Sequence, residues 1–532
     1  MSGMREFIPF SSAAGGSELY AAFVLSRSGA VHDALGGFAS GAPDWARVTA
    51  AGACVDTRLV DHLVATNRAL GVSQSVLAAL PGLADGSVRA VVTGQQPGVA
   101  GGPLLTLYKI ATACALATAV EANTGTRCVP VFWMGADDDD FAEIRDLTAI
   151  AQDLSVVSVA LDASSYTPGL RVGDIAGDAV RAAIAAVAPF LPDGTKAAQA
   201  LGAWTETAGD LGEAAARVIV ELTAGAVALV DGREPLLREC ARATLLEFFD
   251  REAEVRALVQ GAGARLVEAG FHAQLDLGAS SGLFDVTDGV RRKIPAERRV
   301  EMRAAFERDI ARVSPGVVAR NLVQDVIFNP VAVVLGPAEI AYRAQLRPVY
   351  DALGVERPVV FPRMSATFLP PPMVALAERV GIGAAVFAQE PTTIADRARA
   401  RLADESFAAA ARAAEEEFRV LVEGFTAAAS RRLDVRNRDK LEKRFADLSH
   451  RLRQAVDAAV EQDSQSAAAR YPFLARAADM FTRAGAPQER FLSMVTPYAF
   501  HGPAAWPVLQ ELAGDSVRGA LDGRVGHRVY SL

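Results

Sequence analysis

Apolar and polar stretches alternate along the chain in a way that divides it into zones. Up to about residue 85 the apolar positions recur at helical spacing, with breaks at Gly36-Gly37 and Gly41-Ala42-Pro43. Arg89-Ala90-Val91-Val92-Thr93 is then a short apolar run that predicts a buried strand, and it ends in the Gly-rich segment Gly94-Gln95-Gln96-Pro97-Gly98-Val99-Ala100-Gly101-Gly102-Pro103. From Leu104 to about Asn123 the positions Leu104, Leu107, Tyr108, Ala111, Ala115 and Thr118 step by three and four, which predicts a helix. Pro103 stands where a helix start tolerates proline. Cys128-Val129-Pro130-Val131-Phe132-Trp133-Met134 predicts a second buried strand, leading into Asp137-Asp138-Asp139-Asp140.

Strand, loop, helix and strand at this spacing make a parallel βαβ unit with a right-handed crossover. The Gly-rich loop and the acidic run then leave the same carboxyl edge of one sheet, where open α/β sheets bind ligands. The strand pattern returns at Pro330-Val331-Ala332-Val333-Val334-Leu335, before Gly336-Pro337-Ala338-Glu339. It returns again at Arg357-Pro358-Val359-Val360-Phe361, before Pro362-Arg363-Met364-Ser365-Ala366-Thr367. Four such loops converging predict a small-molecule site, and the protein reads as an α/β enzyme. Residues from about 150 to 270 alternate short strands with Ala-rich helices and read in part as an insertion.

After about residue 385 the chain turns to Ala, Glu and Arg with few Gly or Pro. Phe407, Ala411, Ala414, Phe418, Leu421 and Phe425 alternate steps of four and three, as do Leu441, Phe445, Leu448, Leu452, Ala455 and Ala459. Two heptad seams of this kind predict an antiparallel helical arm suited to dimerisation, a packing surface and not a catalytic one. The expected division is a core over 1–385 with insertions around 150–300, an arm over 386–475, and a segment over 476–532 that returns to the core.

Composition narrows the function classes. The chain has 532 residues, is 51% hydrophobic and carries a formal charge of −9, which argues against a role in coating nucleic acid or anionic membrane. Cys54, Cys114, Cys128 and Cys240 form no C-x-x-C pair and the His residues are scattered, so no metal site is expected and the thiols read as buried and reduced. The first residues lack the apolar core of a secretory signal, and no apolar run reaches the roughly 18 residues a membrane helix needs. The expectation is a soluble cytoplasmic protein.

The candidate chemistry lies on the loops. Gln95 and Gln96 add side-chain amides to a glycine loop that opens a helix, an arrangement that suits an anion or nucleotide, although neither G-x-G-x-x-G nor G-x-x-x-x-G-K-[ST] is matched. A tight packed turn is the plainer alternative. The four aspartates repel one another unless water, a cation or donors offset them, so they read either as a solvated loop or as a site for a substrate amine, Mg²⁺ or a general base. Phe141 breaks any D-D-x-x-D pattern. Gly278-Ala279-Ser280-Ser281-Gly282 matches G-x-S-x-G, but the following Leu283-Phe284-Asp285-Val286-Thr287 reads as strand where a nucleophile elbow needs a helix. Arg291-Arg292-Lys293 reads equally well as a solvated turn or an anion contact. Glu339 falls in the first turn of a helix, with Tyr342 and Gln345 within a turn of it. Arg363, with Ser365 and Thr367, suits a carboxylate or phosphate.

With these blocks in order the sequence resembles the bacillithiol biosynthesis cysteine-adding enzyme family. The resemblance rests on Thr93-Gly94-Gln95-Gln96-Pro97-Gly98 with Gly102-Pro103 and Lys109, Pro130-Val131-Phe132-Trp133 running to Phe141 and Glu143, Gln324-Asp325, the block from Gly336 to Leu346, the block from Pro362 to Thr367, and Gln488-Glu489-Arg490. It implies a Rossmann-like core related to class I aminoacyl-tRNA synthetases, with inserted connecting segments and a C-terminal helical coiled-coil domain. It also implies joining L-cysteine to glucosaminyl-malate, with ATP as cosubstrate and room for Mg²⁺ beside it, in a homodimer held through the helical arm. By that resemblance Asp138 and Asp140 are the catalytic candidates. Gly94, Gln95, Gln96, Gly98, Lys109, Trp133, Gly336, Glu339, Tyr342, Gln345, Arg363 and Ser365 are the binding candidates. Asp139 stands where the family has His, and an anionic Asp cannot donate in its place. The alternatives are a divergent member acting on another amine and a non-catalytic protein that binds nucleotide or thiol.

Overall fold

The computed structural model describes residues 5–10, 17–26, 28–35, 45, 54–278, 282–402, 405–469 and 471–531. Five apolar runs pair into one parallel sheet in the spatial order Val359–Pro362, Ala332–Leu335, Val88–Gln95, Arg127–Met134, Ala228–Asp231. Strands covered on both faces read as unbroken apolar runs, and this is why four of the five are visible in the sequence. The fifth, Ala228–Asp231, lies within the stretch expected to be insertion. It is four residues long and sits among Ala-rich helices that give it little contrast.

The chain fills the sheet in one direction from Val88–Gln95 and then returns to the other side of that strand with Ala332–Leu335. The order therefore reverses between these two strands, which opens a crevice at their carboxyl ends. At the far edge, the buried Asn67 amide donates to the Leu229 carbonyl and its oxygen accepts the Leu229 N–H, at 2.9 and 2.6 Å. One side chain thus blocks an edge that would otherwise pair with another strand.

The Leu104–Thr124 helix is apolar on nearly every face and packs on the Val88–Gln95 and Arg127–Met134 strands and on the Ala505–Leu521 helix. Its length and composition match a membrane span, against the expectation that no such stretch exists, but 72% of its most apolar 18 residues are buried within the protein, as in a core helix. Lys109 and several Thr residues interrupt its apolar run in the sequence. Gly125 ends it with φ +72°, a left-handed position that suits glycine.

The first ~85 residues are not all helical as expected. Arg5–Pro9 is a strand, antiparallel to Gly526–Tyr530, which in turn runs parallel to Ser365–Phe368. Its partner lies at the opposite end of the chain, where local periodicity carries no information. The expected breaks at Gly36-Gly37 and Gly41-Ala42-Pro43 lie outside the described residues. Of the inserted segments, Asp146–Ile150 and Val156–Ala160 form a hairpin, and Leu283–Thr287 pairs with both Val290–Lys293 and Val313–Pro315. A strand and not a helix follows Gly282, which removes the nucleophile-elbow context; Ala279, Ser280 and Ser281 lie outside the described residues.

The chain forms two compact units, one of residues 1–152, 156–369 and 482–532, the other of 153–155 and 370–481. In the second, the long Glu405–Ala429 and Val435–Ala468 helices pack together, with an edge-to-face contact between Phe425 and Phe445. The expected seam is displaced. Ala408, Ala411, Glu415, Phe418 and Val422 turn inward on the first helix, while Phe407, Leu421 and Phe425 are 42%, 67% and 56% exposed. The heptad pattern on this helix therefore serves two surfaces, because its period of 3.5 drifts across the face of a helix turning at 3.6.

One buried polar cluster underpins the first unit. Asp325 accepts from Arg343 and from the Tyr350 hydroxyl, both at 2.6 Å, and the two charged side chains are at most 4% exposed. Removing the anion strands a buried guanidinium. Asp325→Ala is expected to cost about 3–5 kcal/mol, read as a fall in urea midpoint without loss of slope.

Candidate active site

A cavity of about 450 Å³ opens at the reversal of strand order, lined by the ends of the Val88–Gln95 and Ala332–Leu335 strands and by the Val317–Phe328 helix. Gly94 admits the neighbouring strand, since a Cβ there would fall 2.7 Å from the Trp133 carbonyl. Behind this wall Lys109 is buried. Its ammonium donates to the Gly94 carbonyl at 2.8 Å and the Gln95 amide oxygen at 2.9 Å and pairs with Glu339 at 2.6 Å. All three N–H bonds are thereby used, so Lys109 fixes the wall and has no donor left for a phosphate.

The partners of Lys109 pass its position on. Gln95 donates from its amide to Glu143 at 3.2 Å. The Glu339 oxygen that meets Lys109 also accepts the Gly336 N–H at 2.8 Å. The second Glu339 oxygen has no hydrogen-bond partner among the described residues, and Glu339 lines the cavity. Arg363 is buried, donating to Glu489 at 2.6 Å and to the Met364 carbonyl at 2.9 Å. Its Nε is without a partner and lies against Gly336 in the cavity wall. Tyr342 lines the same wall, and burial pushes its phenol up to about 12, so it stays protonated.

The four consecutive aspartates are separated by their partners. Asp137 is buried and paired with Arg238 at 2.9 Å. Asp138 accepts from Gln96 and Arg291, each at 2.8 Å, with Arg320 at 3.4 Å. Burial alone would raise its pKa; the Arg320 and Arg291 guanidiniums and the Gln96 amide outweigh that and hold it below the usual carboxylate value. Asp139 also pairs with Arg291 and is absent from the cavity lining. The Arg291 guanidinium lies 4.1 Å from the centre of the Phe284 ring, so the inserted hairpin delivers the cation that neutralises the run. Asp140 accepts the Glu143 N–H at 3.2 Å, caps the short Phe141–Ile144 helix and reaches the cavity.

Several expected binding residues stand elsewhere. Gln345 is fully buried and clamps the backbone of Gln274 and Leu275, so that Gln274, not Gln345, meets the cavity. Ser365 hydrogen-bonds Glu489 and His527, supporting Arg363 from behind. Gly98 borders an adjacent cavity, and a Cβ there would fall 2.8 Å from the Gly102 Cα. Trp133 does line the cavity, though nearly all of it is buried.

Arg320, Asn321 and Gln324 line the cavity without having been singled out as site residues. Their polar stripe on the otherwise apolar Val317–Phe328 helix was the available signal. Glu143, Gln274 and Arg490 are further additions, and Glu143 stands out among them. It is exposed at the cavity edge, yet its pKa is raised, first by desolvation and then by Asp140 and Asp138, against the pull of Lys109 and Arg490. Among the described residues no group of three His, Cys, Asp or Glu side chains stands together as a metal site.

Residues 45–364 match the family model described as "Bacillithiol biosynthesis BshC, N-terminal Rossmann-like domain", more than half of the chain. The chain belongs to the BshC family. Relatives named "Putative cysteine ligase BshC" include those of Natranaerobius thermophilus (27% identical over 329 residues, 58% of this chain and 60% of the relative) and Koribacter versatilis (30% over 338 residues, 60% and 62%). That of Heliobacterium modesticaldum is 30% identical over 344 residues, 60% of this chain and 62% of the relative. The matches thus span about three fifths of the length of these curated BshC relatives.

In this BshC chain Asp138 is held by Gln96, Arg291 and Arg320. Asp138→Asn is expected to cost about 1.5–3 kcal/mol at pH 7, the worth of hydrogen bonds to a charged group. Because the folded pKa is depressed, the stability from pairing is present above the ordinary carboxylate value and lost as pH falls through the folded one. The gap between wild type and variant in urea melts should therefore narrow from pH 7 to pH 3.

Proposed function

We propose that this chain is an amide-forming ligase that joins L-cysteine to glucosaminyl-malate, completing bacillithiol, with ATP activating the cysteine carboxyl. The observation that carries the reading is the pairing of opposite charges in the cavity wall: the Glu339 carboxylate can accept an ammonium, and the buried Arg363 guanidinium favours a carboxylate beside it. An amino acid zwitterion needs both. The volume of about 450 Å³ lies in the range of small-molecule sites. Gln96 and Arg320 would hold the nucleotide phosphates, and any Mg²⁺ would enter with the nucleotide. The names of the relatives support the same reaction class.

ATP supplies carboxyl activation when bound. The acceptor nitrogen must then lose a proton as it forms the C–N bond. Glu143 is suited to take it, since its raised pKa makes it a better proton acceptor than an ordinary carboxylate. Asp138 is the weaker base of the two, since two guanidiniums hold its pKa below the usual carboxylate value. We place the enzyme in the cytoplasm as a homodimer. The outward stripe of Phe407, Leu421, Phe425 and Leu448 supports a coiled-coil contact between arms.

Purified protein incubated with ATP, Mg²⁺, L-cysteine and glucosaminyl-malate should yield cysteinyl-glucosaminyl-malate by mass spectrometry with nucleotide consumed; no product from folded protein would reject the reading. Glu143→Gln should lower kcat by about 10²–10⁴-fold. In the wild type the rate should rise with pH as Glu143 deprotonates, and this acid limb should vanish in the variant. Leu421→Glu with Leu448→Glu should shift the sedimentation coefficient from dimer to monomer.

A further inference from the structure

A second cavity, of about 350 Å³, shares Gln95, Gln96, Glu143 and Arg490 with the first. Its far side carries Arg483, Thr148 and Ser493. Arg483 lies on the Thr482–Arg483 strand of a two-stranded hairpin with Ala486–Pro487, turned by Ala484 and Gly485 at φ +48° and +78°. Its one hydrogen bond among the described residues is a long 3.5 Å contact to the Thr148 hydroxyl. Arg490 makes no hydrogen bond or ion pair among them. Arg291, Arg320 and Arg363 around the first cavity each face a carboxylate within 3.4 Å. Asp146, also on this rim, is engaged by Arg145 at 3.6 Å.

Two guanidiniums with no ion-pair contact among the described residues, seven residues apart across the hairpin turn, suit a ligand with more than one carboxylate. The wall between the cavities is the Gln95–Glu143 pair, where the proton acceptor of the proposed reaction stands. We propose that the second cavity seats the acceptor, an amine that also bears a pair of carboxylates: Arg483 and Arg490 hold the carboxylates, and the amine reaches past Gln95 to Glu143. The acceptor nitrogen then bonds the activated carbonyl carbon presented from the first cavity, the activating group departs with its electron pair, and the nitrogen's proton passes to Glu143. This assignment rests on the ligase reading of the first cavity. It explains why a single carboxylate borders both spaces, since the reaction must occur where donor and acceptor meet.

Arg483 touches the second cavity and not the first, and it is exposed, so Arg483→Gln should fold normally. With glucosaminyl-malate the variant should lose about tenfold or more in kcat/KM, while the KM for ATP stays within about twofold. Its preference for glucosaminyl-malate over methyl glucosaminide, which lacks the carboxylates, should fall by the same factor. Equal losses on both acceptors, or a rise in the KM for ATP instead, would show that the arginine serves another group and overturn the proposal. In parallel, L-malate is titrated calorimetrically into the intact chain without nucleotide or cysteine. Binding weakened about fivefold or more in Arg483→Gln supports the subsite even if no amide forms, in which case the ligase reading fails alone. Identical titrations of wild type and variant, or no binding by the wild type, overturn the subsite whatever the ligase assay gives.

Discussion

Lys109 is 2% exposed and its ammonium touches Gly94, Gln95 and Glu339. These partners come from the ends of the two strands between which the sheet order reverses, and such a reversal by itself leaves only a gap. A buried charge is tolerated when its donors are satisfied, so the ammonium compels both loops to bring an oxygen to one point. Burial pulls the Lys109 pKa down and Glu339 opposes it. The functional groups inherit their placement from this clamp. Glu339 keeps one oxygen for the lysine and offers the other to the cavity. Gln95 turns its oxygen inward and its amide toward Glu143.

Charge is distributed around the clamp with similar economy. Four adjacent aspartates would repel one another in a solvated loop, yet here one is buried against Arg238, two share Arg291, and the last caps a helix turn. Arg291 comes from the inserted hairpin, so the insertion is part of the site's electrostatics. Where the family pattern has His, Asp139 joins that ion pair and stays out of the cavity lining.

The C-terminal return completes the far wall. Glu489 accepts from Arg363, from Ser365 and from the Ala366 N–H, and Ser365 in turn meets His527. Burial holds the His527 pKa down, so the imidazole is neutral at neutral pH. Arg363 is thus braced by Glu489, more than 120 positions away, and its guanidinium stands in the cavity wall without side-chain freedom to lose on binding.

The sequence by itself determined the strands buried on both faces, the helix between the first two, and the carboxyl-edge loops that carry Gly94, Gln95, Gln96, Asp138, Asp140, Glu339 and Arg363. Strand period and loop chemistry are local properties, and local patterns survive translation into structure. It did not determine the strand at Arg5–Pro9, the core strand at Ala228–Asp231, or which residues of the Phe407–Phe425 stripe turn inward, because partners distant in sequence decide these. Nor could it tell that Gln345 and Ser365 brace the wall from behind, or that Arg320, Glu143 and Arg483 line the cavities. Whether a polar side chain meets a ligand or another side chain depends on which valences folding leaves open, and only the tertiary structure fixes that account.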